Sequence, residues 1–154
     1  MAAPPQASVI ELLQENIVTT LAGITVAGGY AWDIGAVSRG HLTPLETFAF
    51  PTASLIPVSA TTEIRMGARW WEFLFTVRVW IDVALADTGH RLEDLICDVQ
   101  RILEVDSQRG GYAEYTLPQQ CSYIYLESTE RLAGADLSYQ CDYKVSLADP
   151  RLQI

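Results

Sequence analysis

His90, Asp94 and Cys97 fall on one helical stretch, and a histidine that takes a thiol proton is the usual activator of cysteine chemistry. The spacing defeats that use. Residues seven apart on a helix lie about 10.5 Å apart along its axis at 1.5 Å per residue, beyond the hydrogen-bond reach of a base. A serine nucleophile has a similar near miss: Ser38 stands between Gly35 and Gly40, but with one residue too many before it for a nucleophile elbow. A structural turn is the expected reading. Glu127 and Glu130 flank a late hairpin and are the residue type for acid–base work, yet an exposed carboxylate pair is ordinarily solvated surface.

Metal and phosphate chemistry find no better footing. His41 and His90 are the two histidines, the three cysteines are dispersed, and the carboxylates form neither an EF-hand loop nor an E-x-x-H pair. The pairs Gly28-Gly29 and Gly110-Gly111 lack the spacing of a phosphate-cradling loop and read as turns. No catalytic residue, metal site or cofactor is expected, and the chain does not read as an enzyme.

The elements that would have to position any site are plainer. Over 70–104 the chain first alternates, with Trp71, Phe73, Phe75, Val77, Val79, Ile81 and Val83 apolar against Glu72, Thr76, Arg78 and Asp82. That period of two predicts one long strand with a buried odd face. Leu92, Leu95, Ile96, Val99, Ile102 and Leu103 then recur at helical spacing, so a helix should pack on that strand. Ser8 and Glu11 have capping-box spacing ahead of Leu12, Leu13, Ile17 and Leu21, which predicts an N-terminal helix that Gly23 ends.

Between the helices, 31–42 reads as one or two short strands or an extended hairpin. A loop with Pro44 and Pro51 follows, then 53–59 as an edge strand or bulge around Pro57, then 61–66 turning at Gly67 into the long strand. Residues 105–119 read as a loop of about fifteen residues, a length usually tied to function or mobility. The segments 121–126 and 139–147 read as a hairpin joined by Leu132, Ala133, Gly134 and Ala135. The expected fold is α+β, with two helices on one face of a mainly antiparallel sheet in the order α-β-β-β-β-α-β-β. One domain over 1–154 is expected, with short arms at 1–7 and 149–154.

Composition narrows function by exclusion. The chain has 154 residues, a formal net charge of −9, and ten cations of which Lys144 alone is lysine. No basic stripe exists to neutralise a phosphate backbone, so specific nucleic-acid binding is disfavoured. The N-terminus lacks the pattern of a secretory signal and no apolar run is long enough to span a bilayer, which predicts cytoplasmic synthesis and no membrane partner. Cys97, Cys121 and Cys141 are then expected to be reduced, and a hairpin centred on 132–135 puts Cys121 and Cys141 too far out of register to bond.

What remains is apolar surface. Leu74 and Trp80 interrupt the polar face of the long strand, and Trp32, Phe48, Phe50, Tyr112 and Tyr115 lie in loops. Large aromatics outside a core are enriched in interface hot spots. Either Phe48, Phe50, Leu74, Trp80, Tyr112 and Tyr115 meet a partner, or loops fold back and bury that face.

The run from Ile17 through Thr25, Gly28, Gly29 and Tyr30 into Asp33, Gly35, Ser38 and Gly40 resembles the N-terminal pattern of small proteins encoded among tailed-phage morphogenesis genes. The element order and size of the rest resemble the phage tail terminator (tail completion) family. That resemblance implies an α+β fold, no catalytic chemistry, and a homo-oligomer, a hexameric ring, that caps the tail tube and joins it to the head connector. The implied partners are the tail tube protein and a head-completion or connector protein, and the implied location is the virion neck, after synthesis in the bacterial host. Negative charge on a bore would repel phosphates and keep passing DNA mobile. The rival class is a small intracellular α+β enzyme or ligand-binding domain with a pocket under the 105–119 loop.

Overall fold

The structure is a computed structural model that describes residues 7–40, 50–83, 91–125, 132–149 and 151–154. Helix α1 (Val9–Leu21) is followed by β1 (Ala36–Arg39), β2 (Thr52–Arg65), β3 (Ala68–Asp82), α2 (Leu92–Val105), β4 (Tyr115–Tyr125) and β5 (Leu132–Val145). The strands form one five-stranded sheet in the order β1-β2-β3-β5-β4. Only β1 runs parallel to its neighbour; the other three pairings are antiparallel. The fold is therefore α+β with a mixed, mainly antiparallel sheet. The two runs 53–59 and 61–66 are arms of the single strand β2, bent at a bulge between Pro57 and Ser59. Counted as arms, they give the order α-β-β-β-β-α-β-β.

Each helix forms for reasons visible in its residues. Val9, Leu13, Ile17 and Leu21 recur every four positions and are all buried, and Ser8 caps the first turn by accepting from the Glu11 N–H at 3.4 Å. On α2, Leu92, Leu95, Ile96, Val99, Ile102 and Leu103 are all buried. Both stripes enter one core with Phe73, Phe75, Val77, Val79 and Ile81 of β3 and Leu137, Tyr139, Cys141 and Tyr143 of β5. Phe73, Phe75 and Tyr139 stack in a row, with ring centroids 5.5 and 5.4 Å apart. Such aromatic pairs contribute about 0.5–1.5 kcal/mol beyond the area they bury.

Three sequence expectations are corrected. The fifteen-residue loop at 105–119 is shorter, because α2 runs to Val105 and β4 already begins at Tyr115. Its polar Thr116, Gln119 and Gln120 obscured the strand, which lies at the sheet edge where polar side chains are tolerated. Secondly, 132–135 is no linker but the start of β5, with Gly134 opposite Trp80 in register. The small residues there make room for that indole: a Cβ on Gly134 would lie 2.5 Å from the Trp80 ring. Thirdly, the late hairpin is re-registered in consequence, with Cys121 opposite Leu137 and Cys141 opposite Thr116. All three cysteines are free. The C-terminal residues turn back on β5, where the Ser146 N–H donates to the Leu152 carbonyl and Val145 bridges Gln153.

Candidate functional site

The residues that invited a chemical reading are mostly engaged in holding the fold. Asp94 accepts from the Arg91 N–H at 3.0 Å and so closes the first turn of α2, while Cys97 is exposed on the same helix. Ser38 sits within β1 with its hydroxyl 2.9 Å from that of Ser54, a cross-strand pair in register and not an elbow. The turn at Gly110-Gly111 points its N–H groups inward, and Asp106 fills that concavity by accepting from the Gln108 and Gly110 N–H groups at 3.1 and 2.5 Å. A phosphate would use the same geometry; here the protein's own carboxylate does. At Gly29 the carbonyl accepts from Arg101, whose guanidinium lies 4.4 Å from the Tyr30 ring centre. His41, His90, Glu127 and Glu130 lie outside the described residues. Among the described residues, no group of three His, Cys, Asp or Glu side chains gathers as a metal site, and no helix is long and apolar enough to cross a membrane.

Three charged residues are buried among the described ones, Asp82, Asp98 and Arg109, and the last two were not singled out by the sequence. Asp98 sits beside the apolar stripe of α2, between Leu95 and Ile102, and is buried. Its carboxylate accepts from the Ala31 N–H at 3.1 and 3.0 Å and from the Trp32 N–H at 2.9 Å. It thereby ties the connection after α1 to α2, and Trp32 joins the core with its indole donating to the Arg91 carbonyl at 3.1 Å. An acid three residues after one stripe position and four before another was the signal available. Arg109 is fully buried beneath the turn after α2 and donates to the Leu103 carbonyl, a cation set at the negative end of the helix. Burial pushes its pKa down, opposed by attraction to Asp106. That guanidinium occupies the space beneath the turn, and a recess of about 280 Å³ lies farther along, lined by Gln100, Pro118 and Tyr139 among others.

The proposed contact residues divide. Tyr115 is exposed on β4 and donates to Asp142 at 2.5 Å; Leu74, Phe50 and Tyr112 are half-buried, and Tyr112 packs on the core. Phe48 lies outside the described residues. Trp80 keeps the face of β3 opposite the helices, in the row of Leu74 and Arg78, but is 3% exposed, with its ring against the bare backbone of Gly134 across the strand.

Several exposed apolar side chains lie on the edges of the sheet, and others in loops and the C-terminal segment. Strand β2 is buried from Thr52 to Ile56, and every residue over 57–65 is exposed. Val58 and Ile64 are 62% and 66% exposed, and Met66 stands fully exposed in the two-residue turn to β3. Met66 and Gly67 both have positive φ, 49° and 76°, the conformation of a type I′ hairpin turn. Glycine adopts it freely, whereas methionine there costs about 1 kcal/mol and places a bare apolar side chain at the tip. β1 pairs with β2 only from Thr52 to Leu55, and no described strand pairs with that edge farther along. At the other end of the sheet, β4 carries no charged residue over its whole length, with Leu117 and Tyr123 exposed.

No family model matches this chain, and no curated protein matches it. Among solved structures, a chain from the virion of a native gene transfer agent particle is similar in trace. The two are 13% identical, with a TM-score of 0.44 over 90% of this chain and 93% of that one. A score of that size leaves the neighbour's place in its particle a property of the neighbour.

Pro57 marked an edge strand or bulge, but the extent of the exposed edges was missed for a physical reason. Alternation reports a strand whether or not anything covers it, so the sequence of 57–65 carries no mark of being uncovered. The absence of charge from Tyr115 to Tyr125 was legible, but it falls partly in a segment read as loop.

Proposed function

We infer that the chain is a structural virion protein of a tailed phage, one subunit of a closed ring that caps the tail tube and joins it to the head connector. The observation that carries this reading is that no described strand pairs with the distal half of β2 or with the outer edge of β4, with exposed apolar residues on the first and no charge on the second. Proteins that remain single usually blunt such edges with charge or cover them, so a pair of uncovered ones supports a part completed by its neighbours. A head-to-tail interface between two different patches generates a ring when its rotation closes. The resemblance of 17–40 to the N-terminal pattern of small tailed-phage morphogenesis proteins, and of the element order to the tail terminator family, supports the same role, and the net charge of −9 suits a bore through which DNA slides.

On this reading the chain makes one domain, its terminal segments at 1–7 and 149–154 act as arms, and its partners are copies of itself, the tube protein and a connector protein. Leu74, Phe50, Tyr112 and Tyr115 remain candidates for contacts to the tube or connector. A cryo-EM map of intact particles tests the reading: a ring of fixed copy number is expected at the head-proximal end of the tube. Purified particles that lack the chain would refute it and favour an intracellular role.

A further inference from the structure

We propose that β4 of one copy adds to the distal half of β2 in the next, so that the sheets of successive copies join edge to edge around the ring. This rests on the ring reading and names its seam.

The two edges match in length and chemistry. Each is broken once by a bulge beside a proline, between Pro57 and Ser59 in β2 and between Pro118 and Gln120 in β4. Beyond those breaks run the uninterrupted segments 59–65 and 120–125, neither containing a proline that would remove a donor. β1 occupies the β2 edge from Thr52 to Leu55, so an incoming strand would lie beyond it, end to end with β1. Glu63 and Arg65, the only charged residues over 57–65, pair with each other, and β4 brings no charge to disturb them. Ladder hydrogen bonds would provide the affinity and the exposed Ile64 and Tyr123 the apolar contacts.

Strand polarity agrees. β2 and β5 both run antiparallel to β3, and β4 runs antiparallel to β5. β4 is therefore antiparallel to β2, and a copy displaced along the sheet without inversion presents β4 antiparallel to the β2 of its neighbour. The junction would continue the pattern of the sheet. Because the two edges differ, the contact is heterologous and propagates in one direction, as a ring requires.

Cys121 provides the test, since it is exposed on β4 and shares the helix side of the sheet with Ala60, Thr62 and Ile64 of β2. In the full chain carrying Cys97→Ser, Ala60→Cys, Thr62→Cys and Ile64→Cys would be introduced one at a time and oxidised at high protein concentration. At least one should give a ladder of disulfide-linked multimers that ends at a fixed size and vanishes when Cys121→Ser is added. A second pair, Thr61→Lys with Ser122→Lys, places like charges on both edges without touching the core and should weaken self-association at least about tenfold. Closed oligomers that form without a Cys121-dependent link and tolerate both lysines would overturn the seam while leaving the ring intact. A chain that stays monomeric and unlinked would overturn the seam as well, and the neck map would then decide the ring separately.

Discussion

Residues 52–56 and 57–65 are halves of one strand, hydrogen-bonded to the same neighbour β3, yet the first half is buried on both faces and the second is exposed throughout. Both halves pair with β3 on either side of one bulge, so backbone hydrogen bonding to β3 does not account for the difference. The helices account for one face: α1 and α2 roof the part of the sheet that holds Leu55, Phe75 and Val77, while the distal half of β2 lies beyond them. On the other face Thr52 sits opposite the buried Trp80 and Ser54 bonds Ser38. Ladder hydrogen bonds set where a strand runs, and cover from another layer sets what it contributes to stability. A strand paired but uncovered is ordered surface, available to something outside the chain.

The sharpest way to break that comparison is to truncate one side chain on each side of it. Phe75→Ala, in the covered region, should cost about 3–5 kcal/mol in urea unfolding, whereas Ile64→Ala should fall within about 0.5 kcal/mol of the parent. Equal losses would mean that the distal half of β2 is covered within the isolated chain. A smaller effect is expected at Asp98, which holds the covered region to the connection after α1. Asp98→Ala strands two N–H groups and should cost about 3 kcal/mol, and Asp98→Asn, which keeps an acceptor, should recover part of it.

A further effect is a pH dependence seated in the covered region, absent at neutrality and felt only in alkali. Burial pushes the Cys141 thiol from an ordinary 9.0 up to about 11, and the Tyr143 hydroxyl from 10.0 up to about 12. Both groups are favoured neutral in the fold, so their contribution is fully present below pH 9 and is lost as pH rises through the raised values. Unfolding free energy should be flat through neutrality and decline between pH 9 and 12, and Cys141→Val should remove the earlier part of that decline. A chain whose stability instead fell on acidification alone would contradict this assignment.

Much of the fold was legible because periodicity and burial agree where helices cover strands. Val9 to Leu21, Leu92 to Leu103 and the odd face of β3 all announced themselves through spacing. The failures cluster where one residue answers to a partner far away in sequence. Gly134 reads as a linker glycine until Trp80 is placed across from it, and Asp98 reads as solvated helix surface until the amides of Ala31 and Trp32 are brought to it. Of the proposed contact residues, Tyr115 lies on the exposed edge, but Trp80, on the face away from the helices, is buried against a cross-strand neighbour that has no side chain.

Val58 has no counterpart in β3, since Pro57 faces Phe75 and Ser59 faces Leu74. Before it, odd-numbered Ala53 and Leu55 share the helix side with odd-numbered residues of β3; after it, even-numbered Ala60, Thr62 and Ile64 do. The bulge is thus a half-period phase step, and Gln119 makes the same step in β4. Removing Val58 would let Pro57 and Ser59 follow Phe75 and Leu74 as a regular ladder, so that Ile64 kept its partner Arg69 and its side of the sheet while the strand lost its extra residue. Each edge thus carries two runs of opposite parity on one face, and the single unpaired residue between them is what lets both runs keep it.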